Sequence, residues 1–279
     1  MISPGPMMAG FRPPDYLALG HKVIGVVGGL GPYAGLDLLE KIFDQTLAKR
    51  DQDHLPVLLH SLPSLIADRT AYLLDSNEPN PGPSLAKILG KLYESGARVI
   101  GIPCNTAHSE AIFKYPRAQA QALGPGLVLV NMLEETANYL ASVCQKGQKI
   151  AVLSTLGTYR LGLYAPYLKK AHLEMIDPGL ELMTRTHEII YHPEFGLKCL
   201  SNPVAPRAKA ALEKILRALA KLDISYLVLG CTELPLAFKG YSQSPSGLKL
   251  VDPTLILARA LIRQAAPDKL KPTLKANQT

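Results

Sequence analysis

Two cysteines stand in matching surroundings, and a pair of thiols can do chemistry that one alone cannot. Cys104 ends the run Val99-Ile100-Gly101-Ile102-Pro103-Cys104, and Asn105-Thr106-Ala107-His108 follow it. At a spacing of 127 residues, Tyr226-Leu227-Val228-Leu229-Gly230-Cys231 repeats the pattern, with Thr232-Glu233 behind it. Each reads as a buried strand that delivers a cysteine to its carboxyl end. If the two ends face each other, a thiolate can take a proton from one side of a carbon while a thiol opposite returns one. That is the chemistry of inversion at carbon, and the two sulfurs exchange roles in reverse. The competing reading is a pair of inert core cysteines, since free cysteine is among the most buried residue types. The repeated polar setting favours function for Cys104 and Cys231. Cys144 and Cys199 lack that setting and read as packing residues.

The elements that must position this pair are themselves repeated. Lys87-Ile88-Leu89 and Leu92 fall on Lys214-Ile215-Leu216 and Leu219 at the same spacing. The opening Ile24-Gly-Val-Val-Gly-Gly-Leu-Gly31-Pro-Tyr33 overlays Ile150-Ala-Val-Leu-Ser-Thr-Leu-Gly157-Thr-Tyr159 at a spacing of 126. Each half is strand, LG turn, helix, further elements, helix, strand, cysteine, a duplication far longer than a solenoid repeat. Strands alternating with helices predict an α/β fold with parallel sheets covered on both faces. The expectation is two pseudo-symmetric α/β domains with the active site in the cleft between them. Residues 1–21 are expected to form a flexible leader. Residues 22–126 with 251–279 form the first domain, and 127–250 the second. Ligands of such sheets gather beyond the carboxyl ends of the strands. Helices starting after each cysteine are expected to lower the thiol pKa from about 8.5.

Composition removes other classes. The net charge is +7, but Lys and Arg are scattered, the densest cluster is Lys269 to Lys275, and aromatic interleaving is absent, so no nucleic-acid partner is expected. The apolar runs fall short of a membrane span, and the Pro/Gly-rich start does not read as an export signal. Four cysteines without CxxC or zinc spacing point to reduced thiols, hence a cytoplasmic protein without metal. Gly29-Leu30-Gly31-Pro32-Tyr33-Ala34 fits a dinucleotide fingerprint, but the second strand, Leu55 to His60, runs on into Ser61 without the acidic residue that fingerprint requires. Arg69 could clamp a carboxylate bidentately, Lys198 is a second cation, and His108 reads as a residue that orients its loop.

The motifs GGLGPYAG (28–35), ADRT (67–70), IPCNTAH (102–108), STLGTY (154–159), GLK (196–198), GCTELPLA (230–237) and VDPT (251–254) resemble the cofactor-independent aspartate/glutamate racemase superfamily, most closely its aspartate racemase branch. That resemblance implies Cys104 and Cys231 as the two acid/base residues, without pyridoxal phosphate or metal, usually in a homodimer. It implies Arg69 and Lys198 at the side-chain acid of a small amino-acid substrate. Asn105, Thr106, Thr158 and Thr232 would hold the α-carboxylate and amine. Glutamate racemases carry Asp-Ser after the first strand, where this chain has Gly28-Gly29. A broader amino-acid racemase, a cysteine-dependent isomerase or lyase, and a non-catalytic amino-acid binder are the alternative readings.

Overall fold

A computed structural model describes residues 20–75, 77–239 and 247–272. All but the last two residues of the leader expected at 1–21 lie outside the described residues.

The first half opens with β1 (Val23–Gly28), α1 (Pro32–Gln45) and β2 (Val57–Ser61). It continues through α2 (Arg69–Leu74), α3 (Gly82–Glu94), β3 (Ala97–Gly101), α4 (Glu110–Ala122) and β4 (Val128–Val130). After α5 (Met132–Val143) the second half repeats the plan with β5 (Lys149–Ser154), α6 (Leu156–Arg160), α7 (Ala165–Lys170) and β6 (Glu174–Met175). Then come α8 (Leu180–Tyr191), α9 (Pro206–Leu219), β7 (Tyr226–Gly230), α10 (Leu234–Ala237), β8 (Lys249–Val251) and α11 (Pro253–Ala265). The sheets are ordered β2-β1-β3-β4 and β6-β5-β7-β8, and every strand pair is parallel. The cysteine-bearing strands β3 and β7 therefore occupy the same place in two sheets of one topology. The expected α/β class is what the chain adopts.

Period-two alternation along the strands separates two apolar clusters per sheet. In the first sheet Val27 and Ile100 face α3, while Ile24, Val26 and Val99 face α1 and α11. In the second, Leu153, Leu227 and Leu229 face α8 and α9, while Ile150, Val152, Tyr226 and Val228 face α5 and α7. The duplicated helices bury duplicated stripes: Leu85, Ile88, Leu89 and Leu92 on α3, Leu212, Ile215, Leu216 and Leu219 on α9. This is the i, i+3, i+4, i+7 spacing of a one-faced helix. Truncating a fully buried member such as Leu89 to alanine should cost about 2–5 kcal/mol.

One expectation about organisation needs correction. The strand Val128–Val130 pairs with β3, so it belongs to the first sheet, and the chain crosses to the second half after Val130 rather than at residue 127. Helix α3 begins at Gly82, because Pro83 suits a first helical turn, where its missing N–H is no loss. On α1, Leu36 and Phe43 are exposed, and the buried stripe runs through Ala34, Leu38 and Ile42.

Candidate active site

Both cysteines reach one narrow cavity of about 10 Å³ between the halves, lined by Leu30, Arg69, Thr70, Cys104, Asn105, Thr106, Thr155, Tyr191, Lys198, Cys231, Thr232 and Glu233. Seven of the eight residues singled out by type and resemblance form its wall. Thr158 does not; its hydroxyl lies 3.0 Å from that of Thr106, so it backs a wall residue and faces a neighbouring cavity instead. Thr155, one turn earlier, lines the site, with its hydroxyl 3.3 Å from that of Thr70 across the halves.

Local sequence explains how each group arrives. Cys231 follows β7 directly, and Cys104 follows β3 through Ile102-Pro103. His108 fixes the loop after Cys104: its Nδ1 lies 2.8 Å from the Cys104 carbonyl, and its Nε2 accepts from the Met132 amide at 3.2 Å. One tautomer, with the proton on Nδ1, satisfies both contacts. Burial holds its pKa down, to about 4. His108 is therefore a structural tie.

Arg69 opens α2, whose first turn is capped by Asp68 accepting from the Ala71 amide at 2.8 Å. The guanidinium donates to the Leu30 carbonyl at 2.8 Å and to the Ala67 carbonyl at 3.3 Å. Its Nε is buried without a partner. Lys198 is brought in by a turn only glycine permits. A Cβ on Gly196 would sit 2.4 Å from the His192 carbonyl oxygen and 2.5 Å from its nitrogen. Leu197, fully buried, then anchors the turn, and the Lys198 amide donates back to Ile190 at 3.0 Å. Asn105 is 1% exposed; its Oδ1 accepts from the Tyr164 hydroxyl, which leaves Nδ2 without a partner. Two buried donors of wall residues, Arg69 Nε and Asn105 Nδ2, are thus left unsatisfied, which native proteins tolerate rarely.

The two sulfurs differ in setting. The Cys231 thiol donates to Glu233 Oε2 at 3.0 Å, and Glu233 Oε1 accepts from Lys198 Nζ at 2.9 Å. Burial, and then the adjacent Glu233 carboxylate, push the Cys231 thiol well above its ordinary range. Burial alone would raise the Glu233 carboxyl, but Lys198 and the thiol hydrogen bond outweigh it and hold the group low. Cys104 lies within the electrostatic reach of Arg69. The expected helix N-termini are not there: a three-residue 3-10 turn, Thr106–His108, follows Cys104, and the four-residue α10 follows Cys231. Helices that short carry little dipole, and Cys231 rests as a thiol rather than a thiolate. Cys199, read as a packing residue, is exposed.

Type and spacing did not flag Tyr191, Thr70, Thr155 or Leu30, and left Glu233 without a role. Tyr191 sits at the end of α8, its hydroxyl 3.1 Å from Asp68 Oδ2 across the halves and its ring 5.3 Å from Lys198 Nζ. The signal for Glu233 was present: a lone carboxylate inside Gly-Cys-Thr-Glu-Leu-Pro-Leu-Ala predicts burial beside the sulfur.

This architecture is shared with solved structures. An aspartate racemase from Picrophilus torridus superposes with a TM-score of 0.70 at 26% identity, covering 90% of this chain and 96% of that one. An aspartate racemase homologue from Pyrococcus horikoshii has the same fold, with a TM-score of 0.62 at 22% identity, covering 87% and 98%. Among curated proteins, the broad specificity amino-acid racemase RacX of Bacillus subtilis is 29% identical over 159 residues, 55% of this chain and 63% of RacX. A glutamate racemase of Pseudomonas aeruginosa is 24% identical over 178 residues, 62% of this chain and 59% of that enzyme. The matches thus span about 60% of the length of these curated relatives. The family model for Asp/Glu/Hydantoin racemase matches residues 27–261, nearly the whole described chain, and the protein belongs to that family.

Proposed function

We propose that this protein is an amino-acid racemase that inverts the α-carbon of an acidic amino acid, aspartate first, with Cys104 and Cys231 as its two acid/base groups. The observation that carries the reading is the shared cavity, with both thiols on its wall beside unsatisfied Arg69 and Asn105 donors. One sulfur, as thiolate, takes the α-proton, so that a C–H bond breaks and an S–H bond forms. The electron pair moves into the α-carboxylate. The other thiol then delivers its proton to the opposite face of the carbon and becomes the thiolate. This sequence needs no electron sink beyond the substrate, so neither pyridoxal phosphate nor metal is required.

Arg69 and Lys198 bind the side-chain acid: Arg69 has no carboxylate partner in the site, and the Lys198 ammonium, held by Glu233 at 2.9 Å, is the second cation on the wall. Asn105, Thr106 and Thr232 hold the α-carboxylate and amine, and Thr158 positions Thr106. Names among the relatives range over aspartate, glutamate and broad specificity, and the two cations favour the acidic pair. The working assembly is a homodimer. An isomerase or lyase using the same thiols would yield a different product rather than loss of optical rotation alone.

The test is α-proton exchange in deuterated water with L- and D-aspartate, on protein dialysed against chelator. Racemisation should persist in the native protein. It should fall on the order of 10²–10⁴-fold in both Cys104→Ser and Cys231→Ser. The double variant should lose little more, because the two act as a unit. Each single variant should retain exchange of one enantiomer only, the complementary one in each case. Near-native racemisation in either single variant would end the two-thiol reading.

A further inference from the structure

Glu233 is the pseudo-symmetric counterpart of Thr106, yet it does something Thr106 cannot. It is 3% exposed, carries a full negative charge, and binds Lys198 through Oε1 at 2.9 Å. Its other oxygen accepts from Cys231 Sγ at 3.0 Å and lies 3.5 Å from Thr232 Oγ1. Resting on the racemase reading above, we propose that Glu233 is an internal stand-in for the substrate's side-chain carboxylate. It occupies the Lys198 subsite in the empty protein and must yield that cation to an incoming diacid.

Three features support displacement rather than a permanent ion pair. The two oxygens divide their partners, so Oε1 can release Lys198 while Oε2 keeps both the thiol and Thr232. Residue 31 is a glycine on the side of Oε1, and a Cβ there would stand 3.1 Å from it. A side chain at residue 31 would therefore crowd Oε1, and glycine spares it that contact. Finally, the buried charges sum in a selective way. Among the lining residues, Arg69, Lys198 and Glu233 sum to one positive charge in the resting site, before either thiol is deprotonated for the reaction. An amino acid with an acidic side chain carries one net negative charge and balances it. A neutral amino acid leaves a buried charge uncompensated, and a diacid without an amine overshoots. Glu233 is thus a specificity-determining residue as well as a competitor.

Succinate is the probe, because it has both carboxylates, lacks the amine and cannot be racemised. Its binding is measured by calorimetry to the native protein, Glu233→Gln and Glu233→Asp, with folding checked by thermal melts. Glu233→Gln frees Lys198 and raises the site to two positive charges, matching the dianion, so its Kd for succinate should fall at least about tenfold, or 1.4 kcal/mol. Glu233→Asp keeps the charge but shortens the reach, and should fall by less. Equal or weaker binding in both folded variants, or no binding to any form in the millimolar range, overturns the proposal. The readout needs no turnover. A gain in succinate affinity with no racemisation by the native protein would sink the activity and leave the stand-in role. Racemisation with unchanged succinate affinity would do the reverse.

Discussion

Arg69 is the residue whose chemistry is least replaceable. Two of its nitrogens are committed to the Leu30 and Ala67 carbonyls, and the third, Nε, is buried without a partner. A lysine has the charge but not the fork: its donors radiate from one nitrogen and cannot reproduce contacts spread over a planar guanidinium. Arg69→Lys should therefore fold yet bind aspartate poorly. KM is expected to rise about tenfold or more, the loss of a hydrogen bond to a charged group worth roughly 1.5–3 kcal/mol. A KM within twofold of native, read in a steady-state racemisation assay, would remove Arg69 from substrate binding. Much of the site at this scale was legible, because the duplication marked Cys104 and Cys231 and motif wording marked Arg69 and Lys198. Tyr191 was not. It lies on a helix 40 residues before Cys231 and reaches the site only because α8 packs on the second sheet.

At the scale of elements, the loop carrying Cys104 is fastened to the first turn of α5 by His108, which bridges the Cys104 carbonyl and the Met132 amide. A neutral imidazole is needed, and burial keeps it neutral down to about pH 4, against 6.5 for a free side chain. Between those values the unfolded chain binds a proton that the folded chain refuses. The stabilising contribution is therefore complete above pH 6.5 and is lost as pH falls toward 4, by up to about 1.4 kcal/mol per pH unit. Asp37 works the other way, since burial raises its carboxyl to about 6, and it favours the folded state on acidification through that range. The His108 contribution is isolated by difference: urea unfolding of native protein and His108→Gln across pH 4 to 7 should give a shallower acid-side slope in the variant. Parallel curves would mean His108 is not the titrating tie. The duplicated helices α3 and α9 were readable from their stripes, whereas the start of α3 and the crossing after β4 were not. A three-residue strand is too short for periodicity to assign to one sheet or the other.

At the scale of the molecule, an apolar patch lies beside the site's own first loop. Tyr33, Leu36, Leu62 and Leu65 are 39%, 49%, 39% and 60% exposed. Gly29 approaches the backbone of Leu62 and Pro63 closely, which brings the two segments together. Exposed apolar side chains carried on segments brought together in this way are a candidate association surface. Light scattering should give twice the chain mass for the native protein, and Leu36→Glu with Leu65→Glu should shift it to one. A native protein running at the mass of one chain would exclude the dimer.

The two walls of the cavity are unequal: Glu233 and Lys198 attend Cys231, while Arg69 and Asn105 attend Cys104. Enantiomers have the same free energy in water, so no arrangement of side chains can bias the final mixture away from equal parts. Under the racemisation proposed above, thermodynamic balance then requires that kcat/KM be identical for the L and D directions, however different the two sulfurs are. Any tighter hold on one enantiomer must be matched by proportionately slower turnover from that side. The imbalance between the walls can set which form saturates first, and never which form accumulates.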